Sequence, residues 1–354
     1  MVARNLRRHG NTGATTPGPA RPGAIGRPAE WLRYLAERCL IIPAADILPR
    51  RAALFVADAV GFADALLPTA TTRIARQEVM ASTGLHGWRA LVLSARRLAG
   101  PRRDLVVLRR FRRGREHPRD RKIVEVHGEI VQRLLAERRS FIIAMAHFPH
   151  AAELAVPDVL IPASAGWCPN SAIPARRLSP GVLRERLQNH LLYNLELKLA
   201  GQSESPLLPR VGEGDVLTAM LDRLRQPQGI VRLFVDASWE KPNAHRRSFA
   251  GIADRGFAFG VARLARLAQC PIVVNVCTYD ADDSVRVEWG PRLEPPAPDD
   301  VSMDVVILDR LLDALERGVG RYPAQYLHPM GFDRAWHAGD QRWVDDAQPV
   351  PVAT

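Results

Sequence analysis

Apolar positions along this chain follow two rhythms. From Phe141 to Ala146 they run without interruption, which predicts a buried strand, and Val159 to Ala163, Gly229 to Asp236 and Pro271 to Thr278 have the same character. Val285 to Trp289 alternates apolar with polar, the period of a half-exposed strand. Between these runs the spacing changes to three and four. Ile123, Val126, Ile130, Leu134 and Leu135 form a helical stripe over 123–137, and Leu183, Leu187, Leu191, Leu195 and Leu199 form another over 180–199. Val216 to Leu224, Gly260 to Ala268 and Met303 to Gly318 complete the helices of this part. Strand and helix in alternation predict an α/β fold, a mostly parallel central sheet flanked by helices on both faces.

The region before this alternation has a different pattern. Trp31 to Pro68 predicts two helices joined at Leu48-Pro49-Arg50-Arg51, and further helices follow from Thr71 to Ala81 and from Gly87 to Leu98. None of these apolar runs reaches the roughly 18 residues that span a bilayer. Apolar faces with neighbouring arginines predict a helical, membrane-facing segment lying in the interface, or equally a helical cap on the main domain. The expected organisation is a basic tail over 1–30, the helical segment over 31–100, an α/β domain over 101–338 and a flexible tail over 339–354.

Charge narrows the partners. The formal net charge of +11 and pI near 10.3 point to acidic partners. The densest block runs from Pro101 to Lys122, where ten basic residues face only Asp104, Glu116 and Asp120. Such a run is a solvated face or a binding surface. Its single aromatic, Phe111, provides no stacking ladder, so nucleic acid is disfavoured against an anionic membrane surface or an acidic carrier protein. The four cysteines stand far apart and without metal-ligand spacing, which predicts reduced thiols and no metal site.

Chemistry concentrates at strand ends, where sites collect in such sheets. His147 follows the Phe141–Ala146 strand, Glu153 stands in the next predicted helix, and Asp236 ends the strand from Gly229. A histidine with a carboxylate beside it can act as a general base oriented by an acid. The plainer alternative is a strand-end histidine with a carboxylate at a helix N-terminus. No Gly-x-Ser-x-Gly elbow is present, which argues against a serine hydrolase.

Four segments in order resemble the bacterial lipid A late acyltransferases, the lauroyl and myristoyl transferases of the glycerolipid acyltransferase superfamily. They are Val124 to Glu129 with His147-Phe148-Pro149-His150-Ala151-Ala152-Glu153-Leu154, the strand Gly229 to Asp236, Ser248 to Gly251 with Gly260 to Ala265 and Pro271 to Val274, and Tyr322 to His328. The resemblance covers about Trp31 to Trp336. It implies a glycerol-3-phosphate acyltransferase-like fold peripheral to the cytoplasmic face of the inner membrane. It also implies transfer of a fatty acyl chain from acyl carrier protein or coenzyme A to a hydroxyl of a lipid or glycolipid, such as a lipid A precursor. No cofactor is implied. His147 is the implied base, Glu153 its partner, Asp236 an organiser of the site, and Arg184 and Arg186 hold phosphate or the oxyanion. Five residues separate His147 from Glu153 where the family has four, so either Phe148-Pro149 bulges or His150 is the base. Ala237 stands where the family has glutamine. Three readings therefore stay open: a lipid acyltransferase, a relative with an amino-lipid or secondary-metabolite acceptor, and a silent module that binds membrane or carrier protein.

Overall fold

The computed structural model describes residues 32–33, 35–67, 70–117, 120–149, 152, 165–166, 216–236, 243–327, 334–337 and 342–345. The expected strand over 159–163, the expected helix over 180–199, both expected tails outside 342–345, and His150, Glu153, Arg184 and Arg186 lie outside the described residues.

The sheet is built around the strand Phe141–Met145 (β2), every residue of which is buried. That follows from its position: strands pair with it on both edges and helices cover both its faces, so no position needs to be polar. The six-stranded order is β1-β8-β7-β2-β4-β3, with β1 at Ile123–Val126, β3 at Ala165–Gly166, β4 at Ile230–Phe234, β7 at Ile272–Tyr279 and β8 at Val285–Leu293. β7, β2, β4 and β3 are mutually parallel; β8 is antiparallel to β7, and β1 is parallel to β8. The chain is thus α/β, with a mixed but mostly parallel sheet. Gly229 leads into β4 at a place where a Cβ would stand 1.8 Å from the Arg223 carbonyl oxygen, so only glycine fits the turn.

Alternation along the strands sends Ile142 and Ala144 to one core and Phe141, Ile143 and Met145 to the other. The first core is closed by Val216–Arg225, Gly260–Ala268 and Met303–Arg321 (α6, α7 and α8). The second lies under Glu129–Ala136 (α5), through Val131 and Leu134. A hairpin, His245–Phe249 with Ile252–Phe257 (β5 and β6), reverses at Ala250-Gly251. A second hairpin pairs Arg334–His337 with Arg342–Asp345 (β9 and β10).

The helical stripe expected over 123–137 is in fact two elements. Ile123 to Val126 pairs in register with Val285 to Glu288, His127 turns at φ 57°, and the helix begins only at Glu129. Ile123 and Val126 fit the helical spacing by coincidence; pairing to the edge of β8 overrides it.

The amino-terminal layer holds Ile42–Ile47 (α1, entered through a wide turn at Glu37–Ile41), Arg50–Leu66 (α2), Ala70–Thr83 (α3) and Gly87–Arg112 (α4). No helix among the described residues is long and apolar enough to cross a membrane. α4 continues past Leu98, where the helix was expected to end, and runs through Pro101 to Arg112. Proline removes one donor to the Arg97 carbonyl; the Arg102 guanidinium, in addition, donates to the neighbouring Leu98 carbonyl at 2.6 Å. The basic block that begins at Pro101 pairs largely within the molecule. Arg102 is buried against Asp64 at 2.9 Å, Arg109 forks onto Asp46, Arg103 meets Asp58, and Arg110 and Arg121 share Glu116. The pairs of Arg102, Arg103 and Arg109 fasten α4 to α1 and α2.

Candidate active site: a histidine and an aspartate on neighbouring strands

Parallel register creates the site. Met145 is aligned with Phe234, so the residues two further on, His147 and Asp236, leave the sheet side by side at the carboxyl ends of β2 and β4. Val235 N–H still donates to the Met145 carbonyl at 2.9 Å, carrying the pairing to the edge of the site. Beyond it, His147 Nδ1 lies 2.6 Å from Asp236 Oδ1, and the His147 backbone N–H donates to Oδ2 at 2.9 Å. The imidazole stacks on Phe234 with centroids 4.5 Å apart, which fixes the ring plane.

Asp236 is fully buried. Burial alone would raise its carboxyl. The imidazole of His147, the hydrogen bond to it, the Arg255 charge and the His147 N–H together outweigh burial and hold it well below the usual carboxylate range. A carboxylate bound to Nδ1–H sets the neutral tautomer and leaves the lone pair on Nε2.

Two residues complete the support of Asp236. Tyr326 Oη donates to Oδ2 at 3.0 Å, and the Arg255 guanidinium donates to the Asp236 backbone carbonyl and, at 3.3 Å, to Tyr326 Oη. Arg255 is itself buried between the rings of Phe249 and Phe257, each centroid 5.4 Å from its guanidinium carbon. Tyr326 arrives on a turn after α8 that is fastened to the end of β7 and to the residue that follows β2. Gln325 hydrogen-bonds the Tyr279 N–H at 2.7 Å and the Tyr279 carbonyl at 2.8 Å, and Leu327 N–H donates to the His147 carbonyl at 2.6 Å. Burial, followed by the Asp236 charge, pushes the Tyr326 phenol well above its ordinary range, so it stays a neutral donor.

Of the six residues expected at the site, the structure brings together His147 and Asp236; His150, Glu153, Arg184 and Arg186 lie outside the described residues. The carboxylate found at Nδ1 is Asp236. Tyr326 lies in the Tyr322–His328 segment but had no role assigned, and nothing in the local sequence of Arg255 marks it as buried. Its one sequence signal is an arginine two residues before Phe257, in a hairpin that also carries Phe249. Among the described residues no group of histidine, cysteine or acidic side chains is arranged to hold a metal ion.

Fold and site together define an α/β protein with an oriented imidazole at the carboxyl edge of its parallel strands. Neither a scan against protein-family models nor a search of curated proteins gives a match to this chain.

Proposed function

We propose that the protein is an acyltransferase that moves a fatty acyl chain from a thioester, on acyl carrier protein or coenzyme A, to a hydroxyl of a lipid or glycolipid. The observation that carries this reading is the 2.6 Å contact between His147 Nδ1 and the buried Asp236 carboxylate. The resemblance to lipid A late acyltransferases adds the substrate class and a glycerol-3-phosphate acyltransferase-like assignment of the fold.

Nε2 of His147 takes the proton of the acceptor hydroxyl as its oxygen attacks the thioester carbonyl. Asp236 steadies the imidazolium that forms. The tetrahedral oxyanion then collapses, the carbon–sulfur bond breaks, and the proton passes from Nε2 to the leaving thiolate. No covalent acyl-enzyme is needed. In this proposal Asp236 takes the partner's role that the resemblance gives Glu153, while Arg184 and Arg186 keep theirs, with the cytoplasmic face of the inner membrane as the place of work.

The test is turnover of an acyl thioester by purified protein, with and without a total membrane-lipid extract, the products read by mass spectrometry. Acceptor-dependent loss of thioester with a mass gain on one lipid is the expected result. It should be abolished by His147→Ala and kept by His150→Ala. Absence of turnover with every donor, from protein that still binds carrier protein or vesicles, would leave a silent binding module instead.

A further inference from the structure

The α2 helix is built inside out for a water-facing surface. Its inner face, against α4, is made of small residues, Ala53, Ala57, Gly61 and Ala65, all buried. Leu54 is buried with them, but Phe55, Phe62 and Leu66 face outward. Phe55 is 72% exposed, and Phe62 and Leu66 are exposed about two and three turns further along the same stripe. At 3.6 residues per turn Arg51, Phe55, Phe62 and Leu66 fall within about 60° of one another. Trp88, 64% exposed at the start of α4, extends the stripe sideways, with its ring edge-on to Phe62 at 6.4 Å. Surface helices ordinarily put their polar face outward.

The charges beside the stripe have one sign. Arg51, Arg89 and Arg96 are exposed and make no ion pair among the described residues. The acid on the stripe, Asp58, is held by Arg103 at 2.5 Å.

The geometry points to this ridge as a docking face for an anionic phospholipid bilayer, with Phe55, Phe62, Leu66 and Trp88 entering the acyl boundary and Arg51, Arg89 and Arg96 at the phosphates. Aromatic and aliphatic side chains above a row of arginines are the composition of an interfacial helix. A second copy of the chain fits poorly, because pairing like faces would set these arginines against their equals. A protein partner would need a groove shaped to a convex ridge, whereas a bilayer accommodates one of any shape. The contact surface therefore differs from the 101–122 block, whose arginines are largely engaged within the fold. The inference extends the lipid-acceptor reading and rests on it for its purpose, but vesicle binding is measured without turnover, so either can fail alone.

The experiment is sedimentation of the full chain with vesicles of pure phosphatidylcholine and of phosphatidylcholine with phosphatidylglycerol, alongside size-exclusion chromatography and binding to acyl carrier protein. Circular dichroism establishes that each variant is folded. Preference for the anionic vesicles is expected, and Phe55→Glu with Trp88→Glu should weaken that binding roughly tenfold or more. Arg51→Gln with Arg89→Gln and Arg96→Gln should erase the preference for anionic lipid. Unchanged vesicle binding by both folded variants overturns the proposal. So does a loss confined to self-association or to carrier-protein binding.

Discussion

Tyr326 Oη stands 3.0 Å from Asp236 Oδ2, so the carboxylate that meets His147 on one oxygen is held on the other by a neutral phenol. The same hydroxyl accepts from Arg255, and the ring is packed by Phe148 and Phe249 with the Arg97 guanidinium carbon 5.3 Å from its centroid. Arg97 in turn is paired with Glu78 of α3. A buried polar chain thus leads from the helical layer to the proposed base.

Tyr326→Phe keeps the packing and removes only the hydroxyl, leaving Asp236 with one donor fewer. A buried hydrogen bond to a charged group contributes about 1.5–3 kcal/mol. The expected outcome is a drop in kcal-scale stability of that order by urea unfolding. In acyl transfer, kcat should fall roughly tenfold or more with KM little changed, because Tyr326 holds the orienter of the base and touches no substrate. An equal change in KM and none in kcat would count against the positioning role.

Asp236 also gives the fold a pH dependence with a definite sign. Its carboxyl is held below the ordinary value in the folded protein, so its contribution to stability is present above about pH 4, the unfolded carboxylate value, and fades as the pH falls towards the lower folded value. Asp236→Asn lacks this term. Unfolding curves taken from pH 6 down to pH 3 should show the wild-type advantage over Asp236→Asn shrinking below about pH 4. A gap that widens on acidification would reverse the assignment.

Much of this architecture is legible in the sequence because burial on both faces leaves an unambiguous mark. β2, β4 and β7 stand where uninterrupted apolar runs place them, and α7 spans Gly260 to Ala268 as its spacing predicts. Edge and hairpin elements are less legible. β1 contains only four residues and shares a helical stripe with α5, while β5 and β6 carry Arg246, Arg247, Asp254 and Arg255, which no apolar rhythm identifies as strands. Within the site, strand ends disclose His147 and Asp236, but their contact depends on the register of β2 against β4, and register is a long-range property. The same limit applies to charge: Arg102 and Arg112 look alike in sequence, yet one is buried on Asp64 and the other exposed.

That difference has a measurable consequence. Asp64 accepts from both Arg33 and Arg102, and all three side chains are buried. Asp64→Ala strands two guanidinium groups without their shared acid, and breaking such a pair costs about 3–5 kcal/mol. Arg112→Ala, on the exposed side of α4, should change stability by less than about 0.5 kcal/mol. Chemical denaturation of the two variants distinguishes a structural ion-pair core from a merely basic surface; equal effects would contradict the pairing.

Gly61 of α2 packs directly on Ala99 of α4. A Cβ added there would stand 2.5 Å from both the Cα and the Cβ of Ala99, backbone that has no rotamer to yield. Gly61→Ala must therefore push the helices apart, and overpacking of this kind costs about 1–3 kcal/mol, a loss of a few degrees in Tm. The displacement has a direction that matters for the site. Gly100, the next residue of α4, faces Leu327, whose side chain would lie 2.6 Å from a Cβ at position 100, and Leu327 N–H holds the His147 carbonyl at 2.6 Å. Arg97, one turn earlier, lies over Tyr326. Pushing α4 towards the sheet strains both contacts; pushing α2 outward leaves them intact. Thermal melts and acyl transfer measured on the same Gly61→Ala preparation separate the two. Because Arg102, Arg103 and Arg109 tie α4 to acids of α1 and α2, the separation is expected to displace α4 as well as α2, and kcat should fall together with Tm. A lowered Tm with unchanged kcat would instead show that α2 alone gives way.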